Sequence, residues 1–295
     1  MSAPDAIARH VPRSRWEFDG EPAPIMITGC SSGIGHALAS RLGRAGHLVF
    51  ATARRPASIA DLERDGCRLL ALDVTEEESM TAAVRAVEDE HGAVWGLVNN
   101  AGYGEYGTIE EVPMDRIRRQ FETNVFGLAR MCQLVLPAMR KANRGRIVNV
   151  GSMGGRLTFP ASGYYHASKY AVEAMTDALR YEVRPFGVAV SLVEPGPVTT
   201  GFESTAERTL AEASDDAGPY VELAGALRSG MDRLYRMPLA SVGPERVAAV
   251  IEGALLGRHP RPRYLVGVTA KVTVGARRVL PDRLWDAALR AGMRA

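Results

Sequence analysis

A short apolar run, Ile25-Met26-Ile27, leads into Thr28-Gly29-Cys30-Ser31-Ser32-Gly33-Ile34-Gly35, after which Ala37, Leu38, Leu42 and Ala45 recur at helical spacing until Gly46. Strand, glycine turn and helix start thus follow one another without a break, and no other stretch restricts the fold as strongly. Glycines let the chain turn tightly and bring backbone N–H groups close to an anion, and the positive end of the following helix favours that anion further.

The same alternation continues downstream. Apolar runs at Leu48–Ala53, Arg68–Leu72, Val94–Val98, 146–151, 188–193 and Arg263–Val266 are separated by helical patterns. This order predicts an α/β protein, a doubly wound Rossmann fold with a parallel sheet of about seven strands and helices on both faces. At 295 residues one domain suffices. The expected layout is an extension over 1–22, possessing Trp16 and Phe18 as anchors, a domain over 23–270 and a basic amphipathic tail over 271–295.

Such a fold binds a dinucleotide at the C-terminal edge of its strands. Gly29, Ser31, Ser32, Gly33, Ile34 and Gly35 are the expected pyrophosphate cradle. The second strand ends Ala53-Arg54-Arg55, where an acid would accept from a free ribose 2′-hydroxyl and an arginine pairs with a 2′-phosphate. The next acid, Asp61, lies a segment away, so NADP(H) is expected in preference to NADH. Asp73-Val74 closes the third strand, its carboxylate suited either to an adenine amino group or to capping a helix that begins at Thr75. Asn99-Asn100-Ala101-Gly102 ends the fourth, with small residues for a flat ligand and Asn99 tying strands together. Pro195-Gly196-Pro197 stiffens a loop from which the Val198 N–H and the Thr200 hydroxyl can meet an amide-bearing ring.

The chemistry concentrates between Ser152 and Lys169. Helical spacing from Gly163 onward places Tyr165 and Lys169 one turn apart on one face, whereas Tyr164 points elsewhere. A free phenol titrates near about 10, and an ammonium within about 4–6 Å favours the phenolate. Lowering the value to about 7 requires about 4 kcal/mol, which a partly dry cleft can supply. Only three lysines, Lys141, Lys169 and Lys271, occur in the chain, so the pairing is unlikely to be chance. Met114 to Ala142 reads as one long amphipathic helix carrying Asn124 inside it, where the amide belongs to a polar network or to the surface.

A net charge of +2 makes no case for nucleic acid or a membrane as the main partner. Cys30, Cys67 and Cys132 lack metal-ligand spacing and suggest reduced thiols in a cytoplasmic setting. No metal is expected, and no apolar run approaches the ~18 residues of a membrane span. Residues 201–238 read as a lid over the substrate, and Tyr103, Met153, Phe159 and Phe202 as its apolar contacts, with Leu157 and Leu210 contributing. The tail carries six basic and two acidic residues beside Leu280, Leu284, Ala288 and Leu289, a face better suited to packing on the domain or a second subunit than to a membrane.

Jointly, Thr28 to Gly35, Asp73, Asn99 to Gly102, Asn124, Ser152, Tyr165, Lys169 and Pro195 to Thr200 resemble the short-chain dehydrogenase/reductase superfamily, in its single-domain branch. The loops Thr28–Gly35 and Phe186–Thr200 look most like its 17β-hydroxysteroid dehydrogenase-like group. The resemblance implies a catalytic tetrad of Asn124, Ser152, Tyr165 and Lys169. In it Ser152 binds the substrate oxygen, Tyr165 exchanges a proton with it, Lys169 lowers the tyrosine pKa and holds the nicotinamide ribose, and Asn124 positions a relay water. It further implies a homo-dimer or homo-tetramer through the helices around Asn124 and Tyr170. The expected activity is NADPH-dependent reduction of an apolar ketone, or its reverse. A 3-oxoacyl-thioester or polyketide ketoreductase is the alternative enzyme, and a non-catalytic NADP-binding sensor or scaffold the alternative of another class.

Overall fold

The computed structural model describes residues 17–18, 21–214, 218–236 and 240–294. Most of the expected extension, including Trp16, lies outside them, and Glu17–Phe18 pairs antiparallel with Glu21–Pro22. Seven strands form the sheet: β1 Ile25–Ile27, β2 Val49–Ala53, β3 Arg68–Ala71, β4 Gly96–Asn99, β5 Gly145–Val150, β6 Val188–Pro195 and β7 Arg263–Val266. Their order is β3-β2-β1-β4-β5-β6-β7, with every pairing parallel. Chain order reverses between β1 and β4, which opens the crevice that α/β sheets use for ligands.

Alternation along the strands feeds two cores. Ile25 and Ile27 face one core and Met26 the other; Val49, Ala51 and Ala53 face the first, and Phe50 the second. Helices α1 Gly33–Arg44 and, late in the chain, Pro244–Leu256 cover the first face through Leu38, Leu42, Ile251 and Leu255. On the second face lie α2 Glu77–His91 and the segment from Met114, through Met80, Val84, Met131 and Val135.

The expected single helix from Met114 to Ala142 is interrupted. It divides into α3 Met114–Phe121, a π-turn over Glu122–Gly127 and α4 Leu128–Lys141. A π-turn inserts one residue into the helical repeat and turns the following side chains. Here Asn124 becomes buried, and Gly127 sits so close to β3's continuation that a Cβ would stand 2.3 Å from the Val74 carbonyl oxygen. After α5 Gly163–Val183, the expected lid consists of α6 Gly201–Ala213 and α7 Val221–Arg236, with α8 Pro244–Leu256 following.

The tail is likewise two helices rather than one: α9 Val268–Val279 and α10 Asp282–Arg294. Pro281 forces the break, since the residue before a proline is driven from helical to extended backbone, and Leu280 adopts ψ 128°. Trp285 and Val274 are buried against Leu157, with Met153, Phe159, Leu280 and Leu289 around them, so the tail packs on its own domain. No helix among the described residues is long and apolar enough to cross a membrane.

Gly127→Ala is expected to cost about 1–3 kcal/mol through overpacking against backbone. Urea denaturation would check this; an unchanged midpoint would mean that the π-turn and Val74 are not in contact.

Candidate active site

A cleft of about 1090 Å³ runs along the C-terminal edge of the sheet. The glycine turn builds one end. Gly29 and Gly33 have φ of +72° and +60°, a region that other residues enter at a cost. Thr28 fixes this turn to the end of β4: its hydroxyl accepts from the Asn100 and Ala101 N–H groups, both at 3.0 Å. The Asn100 amide returns two bonds, to the Thr28 and Gly29 carbonyls. Ser31, Ser32, Gly33 and Ile34 wall the cleft here, with Asn100, Ala101 and Gly102 opposite. The Ser32 side chain makes no bond to the start of α1, so no side chain of its own caps that helix end facing the cleft.

Gly35 departs from the expectation of a ligand contact. It lies beneath the turn, where a Cβ would meet Asn100 Nδ2 and the Gly29 oxygen at 2.4 Å each. Its size lets α1 approach the turn. The two arginines also separate: Arg54 walls the cleft, whereas Arg55 does not, because the chain turns away into a 3₁₀ helix at Pro56 and its carbonyl is taken by Ser58. Asp73 and Val74 both reach the cleft. Asp73 Oδ1 accepts from the Thr75 N–H at 3.0 Å and hydroxyl at 2.7 Å, and α2 begins later than expected, at Glu77. Asn99 does tie strands, donating to Asn149 at 3.0 Å.

Across the cleft, Pro195, Gly196, Val198 and Thr200 form the expected wall. Val198 bridges to Val242 through the Thr199 N–H and the Pro197 carbonyl, a pairing that does not use the Val198 N–H. The Thr200 hydroxyl accepts from the Phe202 N–H at 3.2 Å and caps α6.

Asn124 does not wall the cleft. Its Oδ1 accepts from the Tyr103 N–H at 3.0 Å, and its Nδ2 donates to the Tyr103 carbonyl at 2.9 Å and the Ser168 hydroxyl at 3.1 Å. Both amide protons are thereby committed to protein partners, and the side chain clamps the Tyr103 backbone onto α5.

Ser152, Tyr165 and Lys169 meet where β5 ends against α5. The Ser152 hydroxyl accepts from the Gly154 N–H at 3.0 Å and stands near enough to the Tyr165 phenol to draw its pKa down. Lys169 donates to the Val150 carbonyl at 2.9 Å, and its nitrogen lies 6.0 Å from the centre of the Tyr165 ring. Tyr164 is directed away, donating to the Ile109 carbonyl at 2.9 Å. The expected acidic phenol is corrected by burial. Burial pushes Tyr165 up to about 12, with the neighbouring Ser152 hydroxyl pulling the other way. Burial brings Lys169 down to about 8, opposed by the Glu173 carboxylate.

Tyr103, Met153, Phe159, Phe202 and Leu210 line this same cleft, while Leu157 is core. Three features lay outside the sequence reading. The Tyr106 ring stacks on Tyr165 at 5.7 Å, His166 bonds the Gly154 carbonyl at 2.7 Å and the Phe159 N–H at 3.3 Å, and Arg116 pairs with buried Glu105 at 2.6 Å and with Glu212 of α6 at 2.9 Å. His166, next to Tyr165 in the chain, could have been found from that adjacency; Tyr106 and Arg116 have no periodic signal. Among the described residues no group of three or more ligating side chains is placed to hold a metal.

The sequence profile described as "short chain dehydrogenase" matches residues 23–211. The chain belongs to the short-chain dehydrogenase family. It is 38% identical over 272 residues to 3-ketodihydrosphingosine reductase of Bacteroides thetaiotaomicron, covering 92% of this chain and 97% of that one. It is 37% identical to retinol dehydrogenase 16 of Rattus norvegicus, covering 89% and 86%. Among solved structures, a short-chain dehydrogenase from Streptomyces avermitilis superposes with a TM-score of 0.76 at 32% identity, covering 92% of this chain and 96% of that one. This short-chain dehydrogenase is therefore an oxidoreductase that acts on CH–OH and C=O groups with a nicotinamide cofactor.

Asn124→Ala should lower stability by about 1–3 kcal/mol, the cost of leaving buried backbone groups unsatisfied. Denaturant titration measures it, and a loss smaller than experimental error would remove the clamp.

Proposed function

We propose that the enzyme is an NADPH-preferring reductase of an apolar ketone, able to run in reverse on the secondary alcohol. One observation carries the reading: Ser152, Tyr165 and Lys169 lie in the same cleft as the glycine turn and Arg54. The residues present fit a dinucleotide. The turn from Gly29 to Ile34 would hold the pyrophosphate, Arg54 a 2′-phosphate, Asp73 and Val74 the adenine, Lys169 the nicotinamide ribose, and the Val198 N–H the carboxamide. Bound there, the cofactor supplies the reducing equivalent.

The chain's own residues handle the oxygen. A phenol held at about 12 keeps its proton at neutral pH, so Tyr165 is set up to donate one to a substrate carbonyl rather than to begin as a base. Ser152 bonds the same oxygen and fixes its position between hydroxyl and phenol. Lys169, buried but with Glu173 nearby, supplies positive charge beside the phenolate that forms. The Tyr106 and Phe202 rings, 5.7 and 5.4 Å from that of Tyr165, keep water from the donor.

The apolar character of the substrate is supported by Met153, Phe159 and Phe202 along the wall and by α6 and α7 above it, with Ala226, Leu227 and Met231 facing the cleft. The lid reading rests on these two helices. Two relatives are named for 3-ketodihydrosphingosine and for retinol, in keeping with an apolar substrate.

Tyr165→Phe should retain NADPH binding and lose about 10²–10⁴-fold in turnover, followed by reduced-nicotinamide absorbance against a ketone panel. Full activity would move the proton donor elsewhere. Arg54→Ala should raise the KM for NADPH by about tenfold or more and leave that for NADH nearly unchanged, in keeping with about 1.5–3 kcal/mol for a bond to a charged group. Equal effects on both cofactors would remove the phosphate contact.

A further inference from the structure

One helical turn beyond Lys169, on the side away from the cleft, Glu173 is buried beside a second buried acid. Its Oε2 accepts from Arg263 on β7, while Oε1 is buried with no donor among the described residues. Its neighbour is Glu194 on β6, another carboxyl, whose side chain is 1% exposed and which is reached by the same Arg263 nitrogen. Two buried carboxyls drawn to one guanidinium do not both ionise readily, and a proton held between them would supply the donor that Oε1 lacks.

The charges around the pair are few. From the turn after Ser152, Arg156 donates to Glu194 Oε1 at 3.0 Å; from β7, Arg263 reaches Glu173, Glu194 at 3.4 Å and Asp177; from α5 itself, Arg180 engages Asp177, and Lys169 stands on the cleft side. His166, on the adjoining face, is depressed by burial and stays neutral. The backbone is tight enough to transmit this arrangement. A Cβ on Gly155 would lie 2.8 Å from Glu173 Cγ and 2.9 Å from the Lys169 carbonyl, so the turn carrying Ser152 rests directly on both residues.

We propose that Glu173 and Glu194 share one proton, and that Glu173 is thereby a positioning residue whose ionisation sets how firmly Lys169 stays charged. The inference rests on the reading of Lys169 as part of the active site and adds to it a control from behind the helix. Glu173, pushed up to about 8 by burial and by Glu194, titrates in the same range as Lys169 at about 8. As pH rises, the shared proton leaves, a second negative charge appears on the pair one turn from the ammonium, and the ammonium holds its own proton to higher pH.

The chain's three lysines make the test direct. Lysine labelled with ¹³C at Cε gives three resonances, assigned with Lys141→Arg and Lys271→Arg, and the remaining signal reports Lys169 without any turnover. Glu173→Gln removes the anion, and the Lys169 titration should move down by about one pH unit, whereas Glu194→Gln removes the competitor that keeps Glu173 protonated, and it should move up by a similar amount. The high-pH limb of kcat should follow in the same two directions with KM for the ketone little changed. Opposite shifts from two isosteric changes would not arise from loosened packing. Shifts in the same direction, or none, would overturn the proposal, and if Glu173→Gln does not fold, the absence of an upward shift in Glu194→Gln does so alone. Should Tyr165→Phe prove fully active, the active-site reading falls while the lysine titration still decides the carboxyl pair.

Discussion

An ammonium kept almost dry is the condition on which the site's geometry depends. Lys169 reaches from α5 across to the last carbonyl of β5, and this bond holds the helix against the sheet where Ser152 leaves the strand. A buried cation requires partners. The requirement is met by a backbone oxygen on one side and by the acid behind it on the other, and the same packing removes water from Tyr165. The phenol's reluctance to ionise and the lysine's readiness to give up its proton thus have one cause, desolvation, acting with opposite sign on an acid and a base.

A second constraint lies at the other end of the cleft, where the Thr28 hydroxyl and the Asn100 side chain stitch the turn after β1 to the end of β4. These strands are adjacent in the sheet but far apart in sequence, and the chain reverses direction of progress between them. The crevice therefore exists before any ligand arrives, with its backbone already committed.

The sheet was readable in the sequence because its strands obey simple rules. Ile25-Met26-Ile27 alternates between two cores, and the glycines beside it can hardly occur between a strand and a helix for another reason. Tyr165 and Lys169 were readable because helical spacing is rigid over one turn. What escaped depends on contacts between distant segments. Nothing local marks the π-turn at Asn124, which places that residue against Tyr103 instead of the cleft. Arg54 and Arg55 look alike until Pro56 redirects the chain. The protonation of Tyr165 was misjudged because spacing reveals a neighbouring charge but not the amount of water removed around both groups.

The corner at Pro281 folds the end of the chain back so that Trp285 and Leu289 stand against Phe159. Trp285 and Leu289, like the whole of α7, lie beyond position 211, where the match to the family profile ends. The cleft wall thus draws on both sides of that boundary, with Tyr103, Met153, Phe159 and Phe202 before it and Leu227, Met231 and Leu289 after it. A change in the trailing segment therefore reaches the cleft through Leu289 and α7 while leaving the glycine turn untouched.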